Sequence, residues 1–131
     1  FNRDGGPTPP IGISVPQAMY DDFVEICKPV KNINPDFPFE VKVAKPRKRP
    51  TSTGGTDASV FAVEGVPTYG FTTDDIKGYN FSYGEIWHTE RDLYTKNIPE
   101  YQEHTAVVTA IVALGVANLD KQLSREGMYK E

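Results

Sequence analysis

The longest apolar stretch of the sequence runs from Ala106 to Ala117 and is interrupted only by Thr109 and Gly115. It has about twelve residues, too few to cross a bilayer, so it predicts a buried helix and no membrane span. Proline is tolerated in a first helical turn, so Asn97 to Glu100 is the expected helix start, and the helix should reach about Gln122. Its predicted apolar stripe is Ala106, Val107, Ala110, Ile111, Leu114, Ala117 and Leu119.

Two shorter segments alternate apolar residues with polar or small ones, which is typical of strands. They are Ile11 to Val15 and Phe39 to Val43, the second predicted to be an edge strand. Between them, Pro16 can begin a helix that Pro29 ends or kinks. Phe1-Asn2 could be the end of a further strand.

A second helix and strand are predicted in the middle of the chain. Thr56 or Asp57 suits the N-cap of a helix over Ala58 to Glu64, with Val60, Phe61 and Val63 facing inward. Gly65 would end this helix. A strand is then predicted from Val66 to Phe71.

Strands and helices alternate, which predicts an α/β fold with helices layered around a small mixed sheet, and this sheet looks incomplete. The 131 residues suit one domain, and 11 Gly with 11 Pro favour turns over a helical bundle. The net charge of −4 argues against general nucleic-acid binding. The basic residues between Lys45 and Pro50 could touch phosphate or an acidic partner, although a solvated loop is the simpler interpretation. Residues 124–131 are expected to form a frayed polar tail.

The segment from Glu85 to Asp92 contains His88, one of only two histidines. A neutral imidazole there could bind a metal, and Asp92 could hold its other ring nitrogen. Asp4, on a Gly-rich turn, could supply a carboxylate to the same site. The alternative is that these are solvated or capping residues, as His and Asp in loops often are. His104, near the polar start of the long helix, is predicted to be a surface residue.

Aromatic residues are concentrated in the loop from Asp74 to Gly84, which carries Tyr79, Phe81 and Tyr83. They could form a pocket wall, an interface or a local core. Nucleophilic catalysis has weak support, because Cys27 falls on the apolar side of a helix and Ser59 lacks a cue for a base.

Three segments, in order, resemble the dizinc exopeptidases of the bacterial leucyl aminopeptidase and carboxypeptidase Q type (metallopeptidase family twenty-eight). They are an Asn-x-Asp turn over residues 1–6, a Gly-Thr-Asp turn that leads to Gly-Val-Pro over residues 54–67, and His-Thr-x-x-Asp over residues 88–92. The resemblance implies a three-layer zinc exopeptidase-like fold and the hydrolysis of terminal peptide bonds.

By the same resemblance, Asp4 would bind one zinc ion and His88 the other. Thr89 and Asp92 would support His88, and Asp57 would be a supporting or pocket residue. Trp87 stands where several relatives carry a Tyr that could stabilise the oxyanion, and Tyr83 or Tyr79 could take that role.

The family places further ligands and a Glu-Glu pair upstream, and nothing in this sequence replaces them. Residues 1–123 are therefore interpreted as the C-terminal portion of a catalytic domain, with no catalytic residue of its own and with weak or absent zinc binding. The expected partners are a peptide substrate and either the missing N-terminal portion or a second copy at an exposed sheet edge. The resemblance also implies a secreted, periplasmic or other extracytoplasmic location. The alternative is a non-catalytic peptide- or protein-binding module on a peptidase-like scaffold.

Overall fold

A computed structural model describes residues 3–81 and 83–130. The strand end expected at Phe1-Asn2 lies outside these residues. The strands are β1 (Pro10–Val15), β2 (Glu40–Val43) and β3 (Phe71–Thr73), and the α-helices are α1 (Tyr20–Cys27), α2 (Ser59–Val63), α3 (Tyr83–Ile86) and α4 (Pro99–Ala117). Short 3-10 helices cover Gln17–Met19, Lys28–Asn32 and Tyr94–Lys96. The mixed α/β class predicted from the sequence is confirmed.

The three strands form one mixed sheet in the order β2-β1-β3. β1 is parallel to β2 and antiparallel to β3. The edge position predicted for β2 is confirmed. β1 and β2 come so close at Gly12 that a Cβ atom there would lie 2.5 Å from the carbonyl oxygen of Glu40, so this position of the parallel pair requires glycine.

The strand predicted from Val66 to Phe71 is wrong over most of its length, because β3 begins only at Phe71. The Val66 N–H donates to the Phe61 carbonyl at 3.0 Å and closes a turn after α2. The next residue, Pro67, has no N–H to donate to a strand partner. Gly65 ends the α2 region as predicted, with φ +71°.

Both longer helices pack on the face of the sheet that carries Ile13 and Val15. The core consists of Ile13, Val15, Met19, Phe23, Cys27, Val30, Phe39, Val108 and Val112. Cys27 therefore lies in the core as predicted, and burial raises the pKa of its thiol to about 11. A thiol that resists ionisation is a poor nucleophile. A second helical layer on the other face of the sheet stays a prediction.

The face of α4 that packs on the core differs from the predicted stripe. Tyr101, His104, Val108 and Val112 are buried, whereas Leu114 is 64% exposed. The prediction that His104 is a surface residue is therefore wrong. The helix has apolar residues on every side, so the spacing of apolar residues alone could not select the packed face.

The short helix α2 also turns its larger apolar residues outward. Val60 and Phe61 are exposed, and Ala62 is the buried residue. No side chain caps the start of this helix, and the Ser59 N–H donates instead to the Thr56 carbonyl at 3.0 Å. The expectation of a Thr56 or Asp57 side-chain cap is therefore wrong.

The C-terminal segment is docked rather than frayed. Met128 is buried, and its carbonyl accepts a 3.1 Å hydrogen bond from the Arg47 N–H. The Lys130 N–H in turn donates to the Arg47 carbonyl at 2.9 Å, and the Arg47 guanidinium lies 5.4 Å from the ring centre of Tyr129. Backbone pairing with the segment after β2 thus holds a stretch whose composition alone predicts a loose tail.

Two arginines of the basic segment bind backbone carbonyls of the protein itself. Arg47 donates to the carbonyl and hydroxyl of Thr68 at 3.2 and 2.6 Å. Arg49 donates to the Val63 carbonyl at 2.9 Å through Nε. These two side chains tie loops together and do not form a free basic patch.

Candidate functional site

A cavity of about 920 Å³ lies between the N-terminal turn, α3 with the turn that follows it, and the first half of α4. Five residues predicted to belong to the site line it: Asp4, Tyr83, Trp87, His88 and Asp92. Asp4 and His88, which are far apart in the sequence, are thus brought to one cavity. Thr89 and Asp57 are not among the residues that line it.

The N-terminal turn holds Asp4 in an exposed position at this cavity. Arg3 stabilises the turn by donating to the carbonyls of Gly6 and Thr8 at 2.9 and 2.7 Å. Burial lowers the pKa of Arg3, and the negative charge of Asp4 opposes this effect. Gly6 has φ +72°, and a Cβ atom there would lie 3.1 Å from Phe81 Cζ. The positive φ angle and the close approach of Phe81 both favour glycine at this position of the turn.

The turn after α3 is held by Thr89. Its hydroxyl shares its one proton between the carbonyls of Glu85 and Ile86, at 3.1 and 3.0 Å, and accepts from the Arg91 N–H at 3.2 Å. Thr89 thus supports the backbone that carries His88 without lining the cavity. His88 has φ +54°, a left-handed conformation that only a few per cent of non-glycine residues adopt. Such conformations are concentrated at functional sites.

The imidazole of His88 is exposed and lies against the indole of Trp87. The ring centres are 4.6 Å apart and the planes are inclined by 24°. Tyr83 stacks on Trp87 in turn, at 6.4 Å and 27°. Asp92 lines the same cavity, but over the described ranges 3–81 and 83–130 no hydrogen bond or ion pair joins it to His88. Its N–H donates to the Thr89 carbonyl at 3.2 Å.

Asp57 lies at a separate, smaller cavity of about 220 Å³ beside α2, together with Phe61 and Tyr69. Gly55, from the same Gly-Thr-Asp turn, lines the large cavity. The Ser59 hydroxyl accepts from the Gly54 N–H at 2.8 Å, which gives that serine a structural role in the turn.

A hydrogen-bond network that sequence reasoning missed anchors the aromatic loop. The Asp75 carboxylate accepts from the Tyr101 hydroxyl at 2.7 Å and from the N–H groups of Tyr79 and Phe81 at 3.1 and 3.3 Å. The Tyr101 hydroxyl accepts from the Lys77 N–H at 2.8 Å. An Asp at the start of a turn-rich stretch is a recognisable signal for such backbone contacts, but its partner on α4 is distant in sequence.

These hydrogen bonds shift the protonation of both partners. The bond from Tyr101 is the main reason that the pKa of Asp75 lies below its usual value, and the loop N–H groups add to the effect. Burial, followed by the bond to Asp75, raises the pKa of Tyr101 to about 12. The carboxylate and the phenol therefore keep their charge states over the physiological pH range, and the loop stays anchored.

A second cavity of about 560 Å³ is lined in part by the aromatic loop and shares Ile86, Lys96 and Asn97 with the first. Lys96 forms an ion pair with Glu85 at 2.9 Å, which ties α3 to the 3-10 helix Tyr94–Lys96. The wall between the two cavities is therefore braced by a charge pair as well as by packing.

The donor chemistry of Asp4 and His88 suits zinc, which binds carboxylate oxygen and imidazole nitrogen. Within the described part of the chain, however, no group of three or more His, Cys, Asp or Glu side chains is placed to hold a metal ion.

Comparison with models of protein families, with curated proteins and with solved structures found no match. Among the described helices, none has both the length and the apolar character that a membrane crossing requires.

Proposed function

We propose that this chain is the C-terminal portion of a zinc-dependent exopeptidase of the leucyl aminopeptidase and carboxypeptidase Q type. One observation carries the proposal. Asp4 and His88, the residues that the resemblance selects as zinc ligands, line one open cavity although most of the chain separates them. The substrate would be a peptide, cleaved at a terminal bond.

In the complete enzyme, Asp4 would hold one zinc ion and His88 the other. A pair of zinc ions polarises the scissile carbonyl and lowers the pKa of a bound water so that it can attack near neutral pH. The wall formed by Tyr83 and Trp87 would position the substrate residue beside the metals. This chain supplies neither a general base nor the remaining ligands, so alone it should not hydrolyse peptides.

The finer fold belongs to the same proposal. In a three-layer zinc exopeptidase-like arrangement, upstream strands and helices would complete the sheet and supply the missing ligands. Those upstream strands, or a second copy, would pair at the exposed sheet edge. The complete enzyme would work outside the cytoplasm.

Zinc titration of the chain tests the ligand assignment. We expect fewer than two zinc ions per chain and weak affinity, which Asp4→Asn and His88→Ala each lower by about tenfold or more, since each removes a ligand. Equilibrium dialysis with metal analysis gives both quantities.

Asp21→Asn is the matched control, because it makes the same chemical change as Asp4→Asn at an exposed position on α1, away from the cavity. Its zinc affinity should equal that of the unmodified chain. Equal losses in the Asp21 and Asp4 variants would overturn the assignment, and stoichiometric loading with two zinc ions would show that the ligand count is wrong.

A non-catalytic binding module is the second candidate, and the exposed aromatic surface beside the cavity favours it. Tyr94 is 91% exposed, and Trp87 is 55% exposed. Exposed aromatic residues beside a cavity are typical of peptide- and protein-binding surfaces. Peptide binding that persists unchanged in EDTA and in the His88→Ala variant would support this candidate over the enzyme.

A further inference from the structure

His104 is a buried titratable side chain that has no part in the proposed function. It is 3% exposed, and within the described residues neither ring nitrogen has a hydrogen-bond partner of normal geometry. Burial lowers the pKa of His104, and the Pro10 carbonyl of β1 opposes this effect only in part. Protonation makes both ring nitrogens donors, so an imidazolium here would hold buried N–H groups without well-placed acceptors. The packing therefore suits the neutral imidazole alone.

Phe37 covers the imidazole of His104. The two rings are stacked, with centres 4.3 Å apart and planes inclined by 29°. Phe37 is 2% exposed, and it is the only buried residue from position 31 to position 38, a segment that the structure describes in full. We call residues 33–38, which lie between the 3-10 helix Lys28–Asn32 and β2, the Phe37 loop. A single ring anchors this exposed loop in the interior.

The ring of Phe37 also contacts two groups that hold the aromatic loop. Tyr101 meets it edge to face, with ring centres 5.9 Å apart and planes inclined by 89°, and Lys77 Nζ lies 5.4 Å from its centre. The Tyr101 hydroxyl in turn donates to the Asp75 carboxylate and accepts from the Lys77 N–H. If Phe37 leaves, water reaches the phenol and competes for both hydrogen bonds. The anchor of one loop is thereby linked to the anchor of the other.

The charged groups around this pair of rings lie at the surface. Lys77 forms ion pairs with Glu100 of α4 at 3.1 Å and with Asp36 of the Phe37 loop at 3.9 Å. Glu103 of α4 is exposed, and β1 has no titratable side chain. All three carboxylates are partly or fully exposed, so a proton on His104 would have no buried carboxylate among the described residues to compensate its charge.

We propose that His104 and Phe37 form a pH-sensitive latch, in which protonation of the imidazole displaces Phe37, opens the Phe37 loop and loosens the aromatic loop. In the open state, the imidazolium donates to water. The opening also changes the second cavity, because Tyr79 and Phe81 of the aromatic loop line it. This inference goes beyond the proposed function and holds whether or not the chain binds zinc.

Proton linkage gives the direction and the size of the pH effect. An imidazole open to water takes its ordinary pKa of 6.5, whereas the latched imidazole of His104 has a lower pKa. Below 6.5 the open state therefore takes up the proton first, and each pH unit favours opening by up to about tenfold until the latched imidazole titrates as well. Asp75 has a lowered pKa and Tyr101 a pKa of about 12, so neither of these loop anchors causes the response.

Amide hydrogen exchange, corrected for the intrinsic rate at each pH, measures the opening. Protection of the N–H groups of Lys77, Tyr79 and Phe81 should fall by about tenfold between about pH 6.5 and about pH 5.5. At each pH it should be nearly independent of low urea concentrations, because a local opening exposes little surface. A urea dependence equal to that of the α1 amides would show global unfolding and would overturn the latch.

Two histidine variants identify the group that titrates. His104→Phe keeps a flat ring against Phe37 and should remove the pH response of the aromatic loop. His88→Asn is the matched control, because it removes the other imidazole of the chain and asparagine tolerates the positive φ of that exposed turn. It should keep the full response. A response that survives in His104→Phe, or that disappears in His88→Asn, contradicts the proposal.

Two phenylalanine variants test the cover itself, and they leave His104 in place. Phe37→Leu should lower the protection of the aromatic loop by about tenfold already at neutral pH, since it removes the ring that shields Tyr101. The His104 ring protons, followed by NMR, should then titrate closer to 6.5 than in the unmodified chain. Phe39→Leu is the matched control, because its ring contacts Phe71 in the core, and it should change neither quantity. An unchanged His104 titration in Phe37→Leu would overturn the latch.

Discussion

The two histidines of the chain have opposite environments. His88 is exposed at the cavity, whereas His104 is only 3% exposed and stacks on Phe37 with ring centres 4.3 Å apart. Neither ring nitrogen of His104 has a hydrogen-bond partner of normal geometry among the described residues, although the Pro10 carbonyl lies near enough to affect its pKa. Burial lowers the pKa of His104, and that carbonyl opposes the shift to a smaller degree.

This environment predicts how stability depends on pH. The folded-state pKa of His104 lies below its ordinary value of 6.5, so the unfolded chain takes up the proton first as the pH falls. The contribution of His104 to stability should be constant above that value and should decline as the pH falls toward the folded-state pKa. Urea unfolding at a series of pH values measures this.

His104→Phe is the comparison variant, because it keeps a flat ring against Phe37 and removes the two unpaired nitrogens. Above neutral pH its free energy of unfolding should lie within about 1 kcal/mol of the unmodified chain. The difference between the two proteins should grow in favour of the variant as the pH falls below 6.5. Parallel stability curves for the two proteins would mean that His104 titrates normally and is hydrated in solution.

At the residue scale, the sequence singled out Asp4 and His88 because they have Gly-rich or polar neighbours and stand outside any periodic pattern. The structure places both at one cavity, and their role there stays a prediction. The burial of His104 could not be inferred, because it depends on which face of α4 packs. The Asp75–Tyr101 hydrogen bond was missed for a related reason, since it joins a loop to a helix far along the chain.

At the scale of elements, α4 shows the limit of reading a helix by its apolar spacing. Its predicted stripe, which includes Val107 and Leu114, is largely on the outer side, and Val108 and Val112 face the core. With apolar residues all round, the helix offers several plausible stripes. Contacts with α1 and β1, which are distant in the sequence, determine which of these faces is buried.

A pair of valine substitutions tests the observed orientation of α4. Val112→Ala should destabilise the protein by about 2 kcal/mol, because it removes two buried methyl groups and leaves a cavity. Val107→Ala makes the identical chemical change on the outer side and should cost less than about 0.5 kcal/mol. Thermal and urea unfolding measure both, and the reverse order of effects would favour the stripe read from the sequence.

The aromatic loop depends on one phenol that lies on α4. Tyr101→Phe removes a donor to Asp75 and an acceptor for the Lys77 N–H while leaving the buried ring in place. Hydrogen exchange should then become faster at the N–H groups of Lys77, Tyr79 and Phe81. Tyr94→Phe is the control, since Tyr94 is almost fully exposed, and it should leave those rates unchanged. Unchanged exchange in the Tyr101 variant would show that the loop is held by packing alone.

The strands were predicted best where alternation is long enough to be seen. β1 and β2 follow their predicted segments closely, whereas β3 has only three residues and begins at the last residue of its predicted segment. A short strand is defined by its pairing with β1, and that pairing is a tertiary contact.

At the scale of the whole molecule, helices α1 and α4 cover the face of the described sheet that carries Ile13 and Val15. Within the described residues, β2 and β3 are the two edge strands of this sheet. β2 carries Glu40 and Lys42, an ion pair at 3.0 Å, on its exposed side. Charged side chains discourage edge pairing, yet Val43 on the same strand is exposed and apolar.

If the sheet is incomplete, as proposed, copies of the chain should associate through the edge strands β2 and β3. Val43→Lys on β2 and Thr72→Lys on β3 each add a charge to an end strand, and at least one should raise the dissociation constant by about tenfold or more. Leu114→Lys is the matched control, because it places the same charge on α4 at a leucine that is 64% exposed. Sedimentation velocity over a range of concentrations gives the constants.

Dissociation caused by Leu114→Lys alone would place the contact on the outer side of α4, where an apolar surface is also available. A chain that stays monomeric at all concentrations would contradict edge pairing between copies, and the end strands would then have to be stabilised by their own short length and charges.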